Sequence, residues 1–442
     1  MADPRDEHDQ RNPTQTEAQA EQQAAPPPAE RKATSGTSPR FQLNEALVPL
    51  LAIFTAMLIG AVIVFVSAPA ERVAATSRLS VTIAAFRGLF TGAFGDWTAP
   101  STIPAALSGT LVESTPFILV GLAVALSFKA GLFNVGGEGQ LTIGAITSVA
   151  VAVWLPKWLG AETLPSFVHL PLALLAGAIG GGLWGAIPGY LRAKTGAHEV
   201  INTIMLNYTA LLVLDFLITG GTMADPTASA PRTPFIKASA DLPVFVGVVR
   251  DPALTGGESY QPLIGTTSAT WDLRLHSGIL IALAAVALVA WLLRRTTVGF
   301  EIRTVGANPE AARYAGMSIT KNFVLSMGLS GALAGLAGAG QVLGLDHNLK
   351  SVFSGGLGFD SIAIALLAKS NPVAIVPAAI FWGALRQGAG AMQINSGISI
   401  NLINIIQALV IIFVAADQIV RWIYRLRKQE GGRMVFSRGW GK

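Results

Sequence analysis

Phe133–Ala145 reads FNVGGEGQLTIGA and Phe353–Ala365 reads FSGGLGFDSIAIA. Each places a Gly-Gly-x-Gly turn just before an apolar helix, at Gly136, Gly137 and Gly139 in the first copy and at Gly355, Gly356 and Gly358 in the second. Glycine accepts positive φ and close backbone approach, so both turns can break a helix within a bundle. The chain holds 47 glycines, and two unrelated glycine-rich loops are the alternative. The match in both spacing and position favours an internal repeat.

Outward from these turns the chain is apolar. Half of its 442 residues are hydrophobic and 13% are charged, which excludes a string of soluble domains. Residues 46–67 run without a charge for long enough to cross a hydrocarbon core of about 30 Å. Further spans are expected at 104–128, 139–156, 168–191, 200–219, 276–293, 322–345, 358–369, 372–390 and 399–418. The fold class is therefore an all-α polytopic membrane protein with about ten transmembrane helices. The eighth segment is too short for a full crossing and reads equally as a re-entrant or broken helix. Arg78–Phe94 is expected as an amphipathic surface helix.

Five spans separate the two glycine turns, and an odd number inverts one copy relative to the other. Inverted repeats with glycine-broken helices are a mark of alternating-access transporters, with the solute path between the halves. Lys and Arg set the orientation: 16 fall on one side and nine on the other. The excess places both termini and residues 297–321 in the cytoplasm and the connection 220–275 outside. The net charge of +5 is spread over loops, which suits a membrane partner and no nucleic acid.

Residues 1–45 are polar and aperiodic and are expected to be a disordered cytoplasmic tail. The transmembrane permease domain is placed at 46–420, followed by a basic cytoplasmic tail, 421–442. The apolar core begins too late for a simple signal peptide. There are no cysteines, which excludes disulfides and thiolate metal sites. The scattered His169, His198, His276 and His347 suggest no ligand set, and no metal is expected.

Ionisable groups inside spans are costly, so Glu113, Glu138, Asp215, Asp360 and Arg386 are candidates for the solute path or for structural pairs. Asn134, Asn202, Asn207, Phe353 and Asn404 are added as polar or aromatic candidates. A path rich in amides and poor in charge suits a neutral polar solute. The chain has no P-loop or H-E-x-x-H motif, and no catalytic residues are expected.

The most charged stretch of the second half is Thr297–Lys321. Asn308 can cap a short helix begun by Pro309, with Glu310 in the first turn and Gly316 ending it. Within it, GANPEAARYAGM resembles the coupling-helix loop of ABC transporter permeases of the branched-chain amino acid, sugar and nucleoside importer superfamily. Leu132–Gln140, LFNVGGEGQ, resembles the signature of the simple-sugar and nucleoside permeases of that group. The resemblance covers about 47–417.

It implies a translocation subunit of an ATP-driven importer for a nucleoside or simple sugar, in a bacterial inner membrane. A separate cytoplasmic ATPase would hold ATP and Mg; this chain would bind no cofactor. Asn308, Pro309, Glu310, Ala311, Ala312, Arg313, Tyr314 and Gly316 would meet that ATPase, with small Ala311 and Ala312 allowing close approach. A second homologous permease and an extracytoplasmic binding lipoprotein complete the expected partners. The rival reading is an ion-coupled secondary transporter, which would share the repeat and need ion ligands such as Glu138 and Asp360.

Overall fold

The computed structural model describes residues 39–161, 164–245, 273–351 and 353–425. Two units are distinguished by their contacts, Met1–Ala46 and Leu47–Lys442. The N-terminal tail before residue 39 and the C-terminal tail beyond residue 425 lie outside the described residues, as does most of the second half of the 220–275 connection. The described chain is helical, without strands beyond the single bridges Arg232–Lys350 and Val244–His276.

The helices are α1 (Pro39–Ser67), α2 (Ala70–Ala75), α3 (Arg78–Phe94), α4 (Ile103–Lys129), α5 (Gly137–Trp158), α6 (Ser166–Thr195) and α7 (Glu199–Ile218). They continue with α8 (Gly278–Arg295), α9 (Thr297–Ala307), α10 (Pro309–Tyr314), α11 (Ile319–Gln341), α12 (Leu357–Leu367), α13 (Pro372–Ser396), α14 (Asn401–Ala415) and α15 (Asp417–Ile423). A π-helical turn, Val342–Asp346, extends α11. Among the described residues seven helices are long and apolar enough to cross a membrane, and α12 and α14 are shorter apolar helices.

At the centre stands α4, buried without interruption from Ser114 to Ser127 and packed by α5, α8, α11, α12 and α13. A helix enclosed on every side needs no polar face, which is why Phe117–Leu126 is apolar all round. The peripheral α6 and α7 instead expose Leu175, Ile179, Leu183, Leu212 and Phe216, residues that suit a hydrocarbon solvent. The repeat shows in the packing: α4 lies along α13 as α11 lies along α6, and each glycine turn opens the helix next in sequence, α5 or α12.

Lipid offers apolar helices little hydrophobic reason to associate, so close van der Waals contact must hold them. Gly331 and Gly335 of α11 supply it against Gly177, Gly181 and Gly185 of α6. A Cβ at Gly335 would stand 3.0 Å from the Gly181 Cα and overlap the Gly177 carbonyl oxygen.

The same device seats α3. It packs along α13, where Gly92 would place a Cβ 3.0 Å from the Gly388 Cα, and its outer face carries exposed Leu79, Ile83 and Phe90. The same face carries exposed Arg78, Ser80 and Arg87, so α3 is amphipathic as expected, seated on α13 by its glycines. The eighth predicted segment is the 11-residue α12, too short to cross. The 297–321 stretch holds two helices where one was expected: Thr296 caps α9 by accepting the Gly299 N–H at 3.0 Å.

The described part of the long connection is strapped to the end of α11. Thr233 N–H donates to the Leu349 carbonyl at 3.0 Å, Ile236 N–H to His347 at 2.9 Å and Leu242 N–H to Leu343 at 2.8 Å. Lys237 N–H reaches Ala152 of α5 at 3.2 Å, and His169 of α6 meets Ser239 at 2.7 Å. Arg232 pairs with Asp225 at 3.2 Å. Hydrogen bonds from the Thr227 hydroxyl and N–H, aided by Arg232, hold the Asp225 carboxyl below its ordinary value.

Gly335→Val is expected to destabilise the bundle by about 1–3 kcal/mol through overpacking. Gly340→Ala, on the same helix with open space around it, is expected to leave stability unchanged or slightly raised. Thermal unfolding of the purified protein in detergent measures both.

Candidate functional site

The two glycine turns meet. A Cβ at Gly358 would overlap the Glu138 amide nitrogen, and one at Gly137 would sit 3.5 Å from the Gly358 Cα. Here α5 and α12 begin almost back to back, from opposite ends of the bundle. Glu138, buried in the first turn of α5, directs its carboxylate to the start of α12: Oε2 accepts the Gly358 N–H at 2.7 Å and Oε1 the Ser354 hydroxyl. A helix N-terminus carries unsatisfied N–H groups and partial positive charge, so a carboxylate is a fitting cap.

The turns differ in construction. Gly355 and Gly356 have φ of 53° and 84°, values that a side chain would strain. Gly136, at −79°, has an ordinary φ, and amides fix the first turn instead. Asn134 Oδ1 accepts the Gly136 N–H at 2.8 Å, and its Nδ2 donates to Gln140 Oε1 at 3.0 Å and to the Ser330 hydroxyl at 2.8 Å. From α7, Asn207 accepts the Gly139 N–H at 2.8 Å and donates to the Val135 carbonyl at 2.9 Å. Both asparagines are buried with their amides engaged in holding this turn, which leaves them little to offer a solute.

Beside this node Arg386 of α13 stands between Glu113 of α4, 3.4 Å away, and Asp360 of α12, 4.0 Å away. The three side chains are 36%, 30% and 32% exposed, although they lie among packed helices. Phe117 lies under the guanidinium, 5.8 Å from its centroid. The Trp382 indole N–H lies beside the Asp360 carboxylate without closing a hydrogen bond. Two carboxylates thus share one cation at distances longer than a tight pair, and they retain accepting capacity. Phe353 is half-buried next to Ser354.

Asn202 is half-buried on α7 and Asn404 exposed on α14, and no described hydrogen bond joins either to this cluster. Ser330, Ser354 and Gln140 were not among the residues expected from sequence. Ser354 and Gln140 lie inside the quoted repeats, whereas Ser330 has no marking in the sequence beyond its neighbour Gly331.

At the end of the bundle opposite the 220–245 segment, Asn308 Oδ1 caps α10 by accepting the N–H groups of Glu310 at 3.0 Å and Ala311 at 3.1 Å. Gly316 has φ of 80° just past its end, as a helix stop requires. Glu310 pairs with Arg313 at 3.2 Å on the exposed side. The two alanines part company: Ala311 is exposed, while Ala312 is buried against this chain's own body. Ala312 therefore anchors the helix and is withdrawn from any docking surface. Tyr314, 94% exposed, is the large group presented outward.

Removing the Glu138 carboxylate with Glu138→Ala leaves the buried Gly358 N–H unsatisfied, at a cost of about 1–3 kcal/mol. Glu138→Gln keeps an acceptor and a donor there and is expected to lose less. Comparison of their thermal unfolding midpoints distinguishes a cap from a merely tolerated charge.

Residues 106–415 match the family model described as branched-chain amino acid transport system, permease component. The chain is 39% identical to a guanosine ABC transporter permease of Bacillus subtilis, over 88% of this chain and 99% of that protein. It is 37% identical to a glucose ABC transporter permease of Haloferax volcanii, over 71% of this chain and 76% of that one. A nucleoside ABC transporter permease of Lactococcus lactis is 32% identical, over 85% and 92%. No solved structure matches. The matched residues take in both glycine turns, the Glu113–Arg386–Asp360 cluster and α10, and the chain belongs to the family of branched-chain amino acid transport system permease components.

Proposed function

We propose that this chain is the membrane-spanning permease subunit of an ABC importer that moves a nucleoside, with a simple sugar as the second reading. The observation that carries the solute path is the Glu113–Arg386–Asp360 cluster, partly exposed where two broken helices meet. Ionisable groups in a membrane bundle mark solute routes, and broken helices at an inverted-repeat interface are where such routes lie. Two carboxylates around one guanidinium favour a neutral solute that donates from hydroxyl or ring N–H groups, and they oppose an anion. Similarity to a guanosine permease along nearly its whole length supports the nucleoside over the sugar.

With α10 on the cytoplasmic side, Tyr314 enters a groove on a separate ATPase that holds ATP and Mg. The 220–245 side then receives a binding lipoprotein, and both termini are cytoplasmic in a bacterial inner membrane. A second, homologous permease covers Asp215 of α7 and Asn404 of α14, polar groups left exposed on apolar helices. Against an ion-coupled transporter stands Glu138, whose two oxygens are already committed to Gly358 and Ser354.

The test is uptake by the transporter assembled with its ATPase and binding protein in proteoliposomes. ATP-dependent uptake of a nucleoside is expected, with a nucleoside monophosphate competing about tenfold more weakly, a difference of 1.4 kcal/mol. Uptake driven by an ion gradient without ATP would overturn the assignment. Tyr314→Ala is expected to weaken ATPase binding by about 2 kcal/mol, as for a central aromatic contact, read as lost co-purification with undiminished membrane insertion.

A further inference from the structure

Two residues before the Asn308 cap, the last turn of α9 runs into the turn that ends α4. A Cβ at Gly306 would stand 2.7 Å from the Ala130 carbonyl carbon and 2.8 Å from the Gly131 nitrogen, and would overlap the Lys129 carbonyl oxygen. Reciprocally, Gly131, at φ 74°, would place a Cβ 3.0 Å from the Gly306 carbonyl oxygen. The two backbones therefore touch without side chains between them.

The contact is stiff on both sides. The α4 end is closed by Gly131 N–H to Phe128 at 3.1 Å and Leu132 N–H to Ser127 at 3.0 Å, and Leu132 is buried. On the other side α9 buries Ile302 and Val305, and its first turn is pressed at Gly299 onto the end of α8, where a Cβ would stand 2.7 Å from the Leu293 Cα. Three residues beyond Gly131 comes Asn134, which fixes the first glycine turn and, through it, Glu138 and the start of α12. The covalent continuation from α10 to α11 is soft by comparison. It passes through Gly316, at φ 80° with open space around it.

We propose that the Gly131–Gly306 contact is where displacement of α10 is handed to the Asn134–Glu138 turn, making both glycines positioning residues for coupling ATP hydrolysis to solute movement. The proposal rests on the reading of α10 as the ATPase contact. Packed backbones have discrete arrangements and pass a push on without absorbing it, whereas a contact made by flexible side chains would yield.

The experiment uses the full transporter in proteoliposomes, with three readouts: co-purification of the ATPase, its hydrolysis rate, and solute moved per ATP hydrolysed. Gly306→Ala is expected to keep co-purification and hydrolysis while solute moved per ATP falls about fivefold or more. Tyr314→Ala, in contrast, loses co-purification. If Gly306→Ala does not reach the membrane, Gly131→Ala, which needs the Gly306 carbonyl to give by a few tenths of an ångström and adds the strain of a side chain at φ 74°, carries the same measurement. Unchanged solute per ATP in a fully assembled variant overturns the proposal and leaves the ABC reading standing. Loss of ATPase binding in Gly306→Ala also overturns it, since that would make the glycine a scaffold for docking. A wild-type protein that binds no ATPase overturns the ABC reading itself.

Discussion

Everything near the middle of this bundle depends on two helices starting at the same place from opposite sides. Gly137 and Gly358 let the backbones of α5 and α12 come together, and the Glu138 carboxylate of one accepts the Gly358 N–H of the other together with the Ser354 hydroxyl. Each half-helix leaves an exposed end inside a region where bare N–H groups are costly. The solution is reciprocal in space but not in chemistry. A carboxylate and positive-φ glycines serve α12, whereas Asn134 and Asn207 serve α5.

This asymmetry bears on what the site can do. Asn134, Asn207 and Glu138 are engaged in the two turns, whereas the Glu113, Arg386 and Asp360 side chains beside them are loosely paired and partly exposed. They come from α4, α13 and α12, so the cluster joins a helix of the first repeat to two of the second. A solute bound there would touch both halves at once. That is the geometry an alternating device needs, because binding free energy can bias the relation between halves only if it differs between their arrangements.

Much of this was legible in the residues. The long apolar runs marked ten segments, of which seven among the described residues are long and apolar enough to cross; the paired Gly-Gly-x-Gly turns marked the meeting of α5 and α12, and Asn308-Pro309 with Gly316 marked α10, because each signal is local. What stayed hidden was tertiary. Arg78–Phe94 reads as an amphipathic helix, but only the structure shows that Gly92 seats it on Gly388 of α13. Ala311 and Ala312 are the same residue type one position apart; which of them faces outward is decided by the body beneath. The roles of Asn134 and Asn207 were hidden for the same reason, since the sequence reveals an amide but not whether it bonds a solute or a turn.

The glycine faces also make each repeat depend on the other. The stripe Gly177–Gly181–Gly185 on α6 has its partner on α11, in the other repeat, and Gly88–Gly92 on α3 has its partner on α13. Neither repeat contains both sides of its own tightest seam. Without the second repeat, Gly177 and Gly181 would meet only α5, and Gly88 and Gly92 would lack the α13 backbone that seats them. Each repeat is a unit of sequence, yet the closest backbone contacts of the bundle are made only when the helices of both are present.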